Sequence, residues 1–399
     1  MRLFRVTVIN GPRQAGKTTL LREMVRHRGS YWSLDDGPVR ASAHLDPAAF
    51  VEQGALPMAI DEVQRGGNNL LLAIKSVVDV RPHRGQFVVA GSTRFLSVPQ
   101  LSESLAGRAE VLDLWPFSQG ELAGVKETFI DTLMSEPANL AKSRCEQVDR
   151  RDLLERVVRG GFPEVVDAAS SAAARWYRSY VRTVVERDIT EASAISQASE
   201  LPTLLRLLAA NTSGELVTSR IAADARMSAD TVARYIGLLE LVGLVTRVRA
   251  WTPSLTSREK RHPKMVVTDS GLACALLGRD LDGLTSIQNP LTGPLLESFV
   301  TMELLKQCGW SKRSVTVRHW RDRNGAEVDL ILESDDGVIA GIEVKSAASV
   351  WPTDAKHLAG LRDNLGQRFA GGVVLYLGER ILPLGDRLWA MPLSVLWSD

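Results

Sequence analysis

The chain has 399 residues, of which 45% are hydrophobic and 24% are charged, and its formal net charge is +1. This length predicts about two to four domains with ample core, and the near-zero charge excludes a wholly basic, histone-like protein. The three cysteines are far apart and odd in number, which argues against a disulfide framework or a Cys-rich zinc site and favours a reducing compartment.

The N-terminus enters an apolar run almost at once, which leaves no room for a signal peptide. No apolar run reaches membrane-spanning length. We therefore expect a cytoplasmic protein without a membrane partner.

Residues 11–18, with the sequence GPRQAGKT, form a complete GxxxxGK(S/T) phosphate loop between a strand pattern and a helix pattern. Glycines allow backbone N–H groups to turn toward phosphates, and the positive end of the following helix points at them. Lys17 is expected to reach the β- and γ-phosphates, and Thr18 is expected to ligate Mg²⁺. The predicted ATP contacts are Gly11, Pro12, Arg13, Gln14, Ala15, Gly16, Lys17, Thr18 and Thr19.

A second apolar run, at residues 58–60, ends in the acidic pair Asp61 and Glu62. Phosphoryl transfer depends on positioning and charge neutralisation, so it needs a metal-binding carboxylate beside the phosphate loop. We predict that Asp61 holds Mg²⁺ through water or Thr18, and that Glu62 is the catalytic residue that polarises the attacking water.

Alternating strand and helix patterns over residues 1–125 predict an α/β fold with a parallel sheet covered by helices. The expected strands are 4–9, 30–34, 58–60, 86–90 and 109–114. We divide the rest into a helical lid or linker at 126–200 with an amphipathic stretch at 172–193, a winged helix at 201–264, and an α/β domain at 265–399.

Polar residues follow the strand pattern at 86–90, where the γ-phosphate is expected at the carboxyl edge of a parallel sheet. Ser92 or Thr93 is therefore a candidate sensor that contacts this phosphate. The alternative is a helix cap, since Ser and Thr are favoured there, and the sequence leaves both open.

Arg108 follows Gly107 at the end of a helical pattern. Arginine near a helix end is favoured by the dipole alone, but an arginine at this place can also act as a finger on a neighbouring subunit's γ-phosphate. A homo-oligomer is expected if Arg108 acts in that way.

Several motifs follow one another in the order and spacing of a known family. They are 11–21 (GPRQAGKTTLL), 33–36 (SLDD), 60–65 (IDEVQR), 103–108 (ESLAGR), 160–163 (GGFP) and 186–189 (ERDI). The sequence thereby resembles the AAA-type ATPases of bacteria and archaea that carry a C-terminal DUF4143 domain, and the resemblance covers nearly the whole chain. It implies a P-loop AAA-type core, a helical and winged-helix middle, and a nuclease-like α/β C-terminal domain.

Within the middle region, two short helix patterns, a tight turn and a β-like run at 243–249 predict a winged helix-turn-helix. Cations follow, and clustered cations beside such a unit suit phosphate contacts on DNA. They are Arg247, Arg249, Arg258, Lys260, Arg261 and Lys264. Winged helices also serve as ATPase lids and docking modules, so DNA is one of two open alternatives.

The C-terminal region combines Asp329 with Glu343 and Lys345 on two successive strand patterns, and with Glu297 on an upstream helix pattern. This arrangement resembles the PD-(D/E)xK nuclease core. The resemblance implies that Asp329 and Glu343 ligate Mg²⁺, that Lys345 activates water, and that Glu297 assists. A solvated Glu-Lys pair on a hairpin is the alternative.

Two hypotheses remain beyond ATP hydrolysis. In one, the chain is an ATP-dependent nucleic-acid enzyme whose C-terminal domain cuts DNA. In the other, it is an ATP-driven switch whose C-terminal domain only binds a partner.

Overall fold

The computed structural model describes residues 4–91, 105–189, 198–254, 258, 261–286, 288–322 and 325–398. The chain divides into two compact units. The first comprises residues 1–116, 186–195 and 237–244, and the second comprises residues 117–185, 196–236 and 245–399.

The first unit contains a five-stranded, fully parallel sheet in the order β2-β3-β4-β1-β5. Its strands are β1 (Val6–Asn10), β2 (Ser30–Ser33), β3 (Met58–Asp61), β4 (Phe87–Ala90) and β5 (Ala109–Asp113). The α/β prediction is confirmed, and each predicted strand matches an observed one to within two residues at either end.

The two faces of this sheet bury separate apolar clusters. Because side chains alternate along a strand, Val8 joins one cluster and Ile9 the other. Leu21, on the helix after β1, packs on the Ile9 face, and Leu70 packs on the Val8 face. The helices of this unit are Lys17–Val25, Gly37–Leu45, Pro47–Gln53 and Gly67–Val80, with a 3₁₀ turn at Val63–Gly66.

The middle of the chain is helical, as the sequence predicts. Its elements up to residue 241 are Gln119–Ala123, Phe129–Ser135, Pro137–Leu140, Arg150–Arg159, Ser170–Thr183, a π-helical turn at Val184–Ile189, a 3₁₀ turn at Ala198–Glu200, Leu201–Ala210, Thr218–Ala225 and Ala229–Leu241. In the amphipathic stretch at 172–193, the α-helix therefore ends at Thr183, earlier than predicted. Residues 190–193 of this stretch lie outside the described part.

A two-stranded antiparallel ribbon follows the helix Ala229–Leu241. It pairs β6 (Val245–Val248) with β7 (Lys264–Val267). The helix-helix-strand order agrees with the predicted winged helix, and Tyr235 and Leu239 of the second helix are buried. The winged-helix assignment itself stays a prediction.

The C-terminal part contains a mixed sheet in the order β12-β13-β11-β10-β9-β8. Its strands are β8 (Val315–Arg321), β9 (Glu327–Ser334), β10 (Ile339–Lys345), β11 (Phe369–Tyr376), β12 (Leu382–Gly385) and β13 (Leu388–Pro392). Strands β8, β9 and β10 form an antiparallel meander, whereas β10 runs parallel to β11.

Helices precede and cover this sheet. They are Ser270–Leu276, Leu281–Thr285, Thr292–Cys308 and Lys356–Leu365, with 3₁₀ turns at Pro352–Ala355, Gly366–Arg368 and Leu393–Trp397. Leu358 and Leu361 pack with Val328, Ile331 and other apolar residues of the sheet. None of the helices in the described ranges is both long and apolar enough to cross a membrane.

Candidate functional site

The phosphate loop joins the carboxyl end of β1 to the helix Lys17–Val25. Gly11 (φ 152°) and Gly16 (φ 100°) lie in the backbone region that favours glycine. A Cβ added at Gly11 would lie 2.1 Å from the carbonyl oxygen of Leu114, so a larger residue does not fit there. Both glycines of the motif are therefore favoured by their backbone conformation, and Gly11 is required in addition by the lack of space for a Cβ.

The side chain of Lys17 is held inside the loop. It is 6% exposed, and its Nζ donates to the carbonyl oxygens of Gly11 at 2.9 Å and Pro12 at 2.7 Å. An ammonium group in this position has its donors directed at the loop that the phosphates are expected to occupy.

Thr18 and Asp61 come together from separate elements. Thr18 Oγ1 donates to Asp61 Oδ2 at 2.6 Å. The other carboxylate oxygen, Oδ1, accepts from the backbone N–H of Glu62 at 3.0 Å. Hydroxyl and carboxylate oxygens are the donors that Mg²⁺ prefers, so these residues fit the predicted ion.

Tyr31 also contacts this carboxylate, and the sequence reasoning gave it no role. Its hydroxyl donates to Asp61 Oδ2 at 3.1 Å. Burial, together with the charge of Asp61, raises the pKa of Tyr31, which keeps its hydroxyl protonated as a donor. Tyr31 and Asp61 meet because β2 lies beside β3, and a strand order of this kind is not visible in a single sequence.

Glu62 lies immediately after β3 in a left-handed backbone conformation with φ 52°. Its carboxylate accepts a hydrogen bond from the Gln64 side-chain amide. Gln64 is part of the motif at 60–65, but no role was predicted for it. The bond fixes the Glu62 carboxylate beside the carboxyl edge of the sheet.

The remaining predicted residues of this site have different outcomes. Ser92 and Thr93 lie outside the described residues. Arg108 precedes β5, which runs parallel to β1, so it lies at the amino edge of the sheet, opposite the phosphate loop. Its guanidinium forms an ion pair with Asp79, with one contact at 3.0 Å, and lowers the pKa of that carboxyl group. Action on a neighbouring subunit stays a prediction.

The C-terminal constellation assembles from three elements. Glu297 lies on the helix Thr292–Cys308, Asp329 on β9, and Glu343 and Lys345 on β10. Lys345 Nζ lies 3.3 Å from Glu343 Oε2, and Asp329 Oδ2 accepts from the backbone N–H of Val344 at 2.9 Å. Burial and the charge of Asp329 raise the pKa of both Glu297 and Glu343 to about 8.

Lys264 enters this cluster, which corrects the prediction that it is an exposed DNA-contacting cation. It is 3% exposed, with its Nζ 2.7 Å from Glu297 Oε1 and 2.8 Å from Glu327 Oε1. The distance to Asp329 Oδ1 is 3.8 Å. Burial disfavours its charged form, but the three carboxylates outweigh this effect and raise the pKa of Lys264.

Of the other predicted cations, Lys260 lies outside the described residues, and Arg258 and Arg261 form contacts within the chain. Arg258 forms a bidentate pair with Glu333, with both N–O distances at 2.7 Å, and Arg261 donates to the carbonyl oxygen of Arg321 at 3.0 Å. Arg247 and Arg249 are exposed. DNA binding stays a prediction, and it has fewer exposed cations to support it than the sequence suggested.

A divalent ion does not fit the C-terminal cluster as it stands. An ammonium group already lies among Glu297, Glu327 and Asp329, and in the described ranges no group of three or more His, Cys, Asp or Glu side chains is arranged to hold a metal. The metal roles of Asp329 and Glu343 stay predictions that this arrangement does not favour.

The parallel sheet, the phosphate loop and the adjacent acidic pair form a P-loop α/β domain. Family comparisons agree, since an AAA domain matches residues 3–123 and a domain of unknown function, DUF4143, matches residues 292–396. The predicted architecture is thereby confirmed. A further domain of unknown function, DUF8612, matches residues 150–282, and the sequence reasoning did not identify it.

Two mycobacterial proteins are similar to nearly the whole chain. Both are described as uncharacterized, one from Mycobacterium bovis and one from Mycobacterium tuberculosis. Each is 28% identical over 389 residues, which cover 97% of this chain and 80% of the relative. The similarity therefore extends through all three matched domains.

Proposed function

We propose that the chain binds ATP with Mg²⁺ at the phosphate loop and hydrolyses it by attack of water on the γ-phosphate. The observation that carries this proposal is the 2.6 Å hydrogen bond between Thr18 and Asp61. It brings two predicted magnesium ligands from different elements together beside the loop.

Each side chain has a separate task in this reaction. Lys17 would exchange its carbonyl partners for phosphate oxygens, which are stronger acceptors because they are charged. Thr18 and Asp61 would hold Mg²⁺, which when bound neutralises charge on the phosphates. Glu62, oriented by Gln64, would position and polarise the attacking water.

The direct test is phosphate release from ATP by the purified full chain, with Mg²⁺ and with EDTA. We expect turnover above the background rate with Mg²⁺ and its loss with EDTA. No release in magnesium, from protein that is folded by circular dichroism, would contradict the proposal.

Tyr31→Phe tests whether Tyr31 positions the Asp61 carboxylate. We expect the Mg²⁺ concentration for half-maximal turnover to rise about tenfold, because residues that orient a metal ligand typically affect metal affinity by about 10- to 100-fold. ATP binding measured without Mg²⁺ should not change. Trp32→Phe, at an exposed position on the same strand, is the control. An unchanged magnesium dependence in Tyr31→Phe would contradict the positioning role.

Arg108 is proposed to act across a subunit interface, since its own sheet places it at the edge away from the phosphate loop. This requires a homo-oligomer. A mass measurement with and without ATP tests the requirement, and a monomer under turnover conditions would exclude it.

For the C-terminal domain, the observations favour the switch hypothesis over the nuclease hypothesis. The reason is Lys264, whose ammonium pairs with Glu297 and Glu327 and lies 3.8 Å from the predicted metal ligand Asp329. ATP hydrolysis would then act on a domain that binds a partner and does not cut nucleic acid.

A further inference from the structure

The carboxylate cluster of the C-terminal part contains a cation supplied by a distant part of the chain. Lys264 is the first residue of β7, and it pairs with Val248 of β6 in the antiparallel ribbon. This pairing fixes its backbone, and the side chain then extends to Glu297 and Glu327, which belong to a helix and to β9.

The four carboxylates of the cluster divide between two ammonium groups. Lys264 contacts Glu297 and Glu327 and lies 3.8 Å from Asp329, whereas Lys345 contacts Glu343. One buried oxygen, Glu343 Oε1, has no hydrogen-bond partner within the described residues.

A divalent cation and the Lys264 ammonium compete for the same oxygens. Mg²⁺ requires oxygen ligands at about 2.0–2.1 Å in octahedral geometry. Two of the carboxylates already have an oxygen within 2.8 Å of Nζ, and a second positive centre close to a buried ammonium is strongly repelled. The Lys264 side chain would therefore have to move out of the cluster before a divalent cation could bind the carboxylates of Glu297 and Glu327.

We propose that the Lys264 ammonium takes the place of a divalent cation in this cluster, so that the nuclease-like domain is assembled without metal. It follows that removal of the ammonium creates a site for a hard divalent cation such as Mg²⁺ or Mn²⁺. This inference concerns the C-terminal domain and does not depend on ATP hydrolysis.

The test is calorimetric titration of Mn²⁺ into the nucleotide-free full chain. In the wild type, we expect the same heat as in Asp329→Asn, because the cluster takes no ion. In Lys264→Met, which keeps most of the length of the side chain but removes the charge, we expect a new site of one ion per chain, with affinity about tenfold or more above any wild-type binding. The double variant Lys264→Met/Asp329→Asn should lose that site.

Arg258→Met is the matched control, since it removes a different, half-buried cation from its carboxylate partner Glu333. It should gain no ion. Thermal melting gives a second readout, in which Mn²⁺ is expected to raise the melting temperature of Lys264→Met and to leave that of Arg258→Met unchanged.

Two results would overturn the proposal. One is a wild-type Mn²⁺ site that Asp329→Asn abolishes, and the other is folded Lys264→Met that gains no ion. If Lys264→Met does not fold, the comparison of the wild type with Asp329→Asn still tests the proposal. Equal heats of Mn²⁺ titration support it, and a wild-type Mn²⁺ site that is lost in Asp329→Asn refutes it.

Discussion

Glu62→Gln is expected to bind ATP with unchanged affinity and to lose about a thousandfold in turnover, within the range that positioned general bases contribute. The amide keeps the size of the side chain but cannot accept a proton from the attacking water. Because Glu62 follows β3 directly and its carboxylate is held by Gln64, the substitution should leave the phosphate loop intact. Phosphate release and fluorescent-nucleotide titration measure the two quantities separately.

Glu23→Gln is a suitable control, since Glu23 is an exposed acid on the helix that follows the loop and pairs only weakly with Arg26 at 3.3 Å. Its turnover should match the wild type. Turnover in Glu62→Gln within about threefold of the wild type would remove Glu62 from the reaction, because such a change is far below the effect of a general base.

Lys17→Ala is expected to weaken ATP binding about a hundredfold, since each charge-assisted hydrogen bond contributes about 1.5–3 kcal/mol and at least one is lost. The ammonium is buried in the loop and already oriented by the carbonyl groups of Gly11 and Pro12, so little ordering is needed when phosphates bind. Nucleotide titration monitored by fluorescence or calorimetry gives the affinity.

Lys17→Arg tests whether position matters as well as charge. The guanidinium is larger and planar, so it should not replace the ammonium inside the loop. Lys75→Ala, on the helix Gly67–Val80, is the control and should bind ATP normally. Normal ATP affinity in folded Lys17→Ala would contradict the assignment of the loop.

The P-loop unit at the start of the chain was largely predictable because its signals are local. Gly11 and Gly16 meet backbone requirements within one short loop, and the apolar run before Asp61 predicts the short buried strand that is observed. Since parallel strands end at the same edge of a sheet, a motif after β1 and another after β3 were expected to meet.

The parts that could not be predicted depend on contacts between distant segments. Lys264 is separated from Glu297 by 33 residues, and several cations precede it within six residues, so the local pattern indicated a basic surface. Arg258 was misjudged for the same reason, because its partner Glu333 lies 75 residues away. Tyr31 is a third case, since its contact with Asp61 requires knowledge of strand order.

The most direct test of the central assignment is a calorimetric titration of ATP into the full chain in the presence of Mg²⁺. We predict saturable binding of one ATP per chain, weakened when Mg²⁺ is replaced by EDTA and about a hundredfold weaker in Lys17→Ala, as the loss of one hydrogen bond to a charged oxygen would give. Absence of any binding heat in folded wild-type protein, at several temperatures, would contradict it.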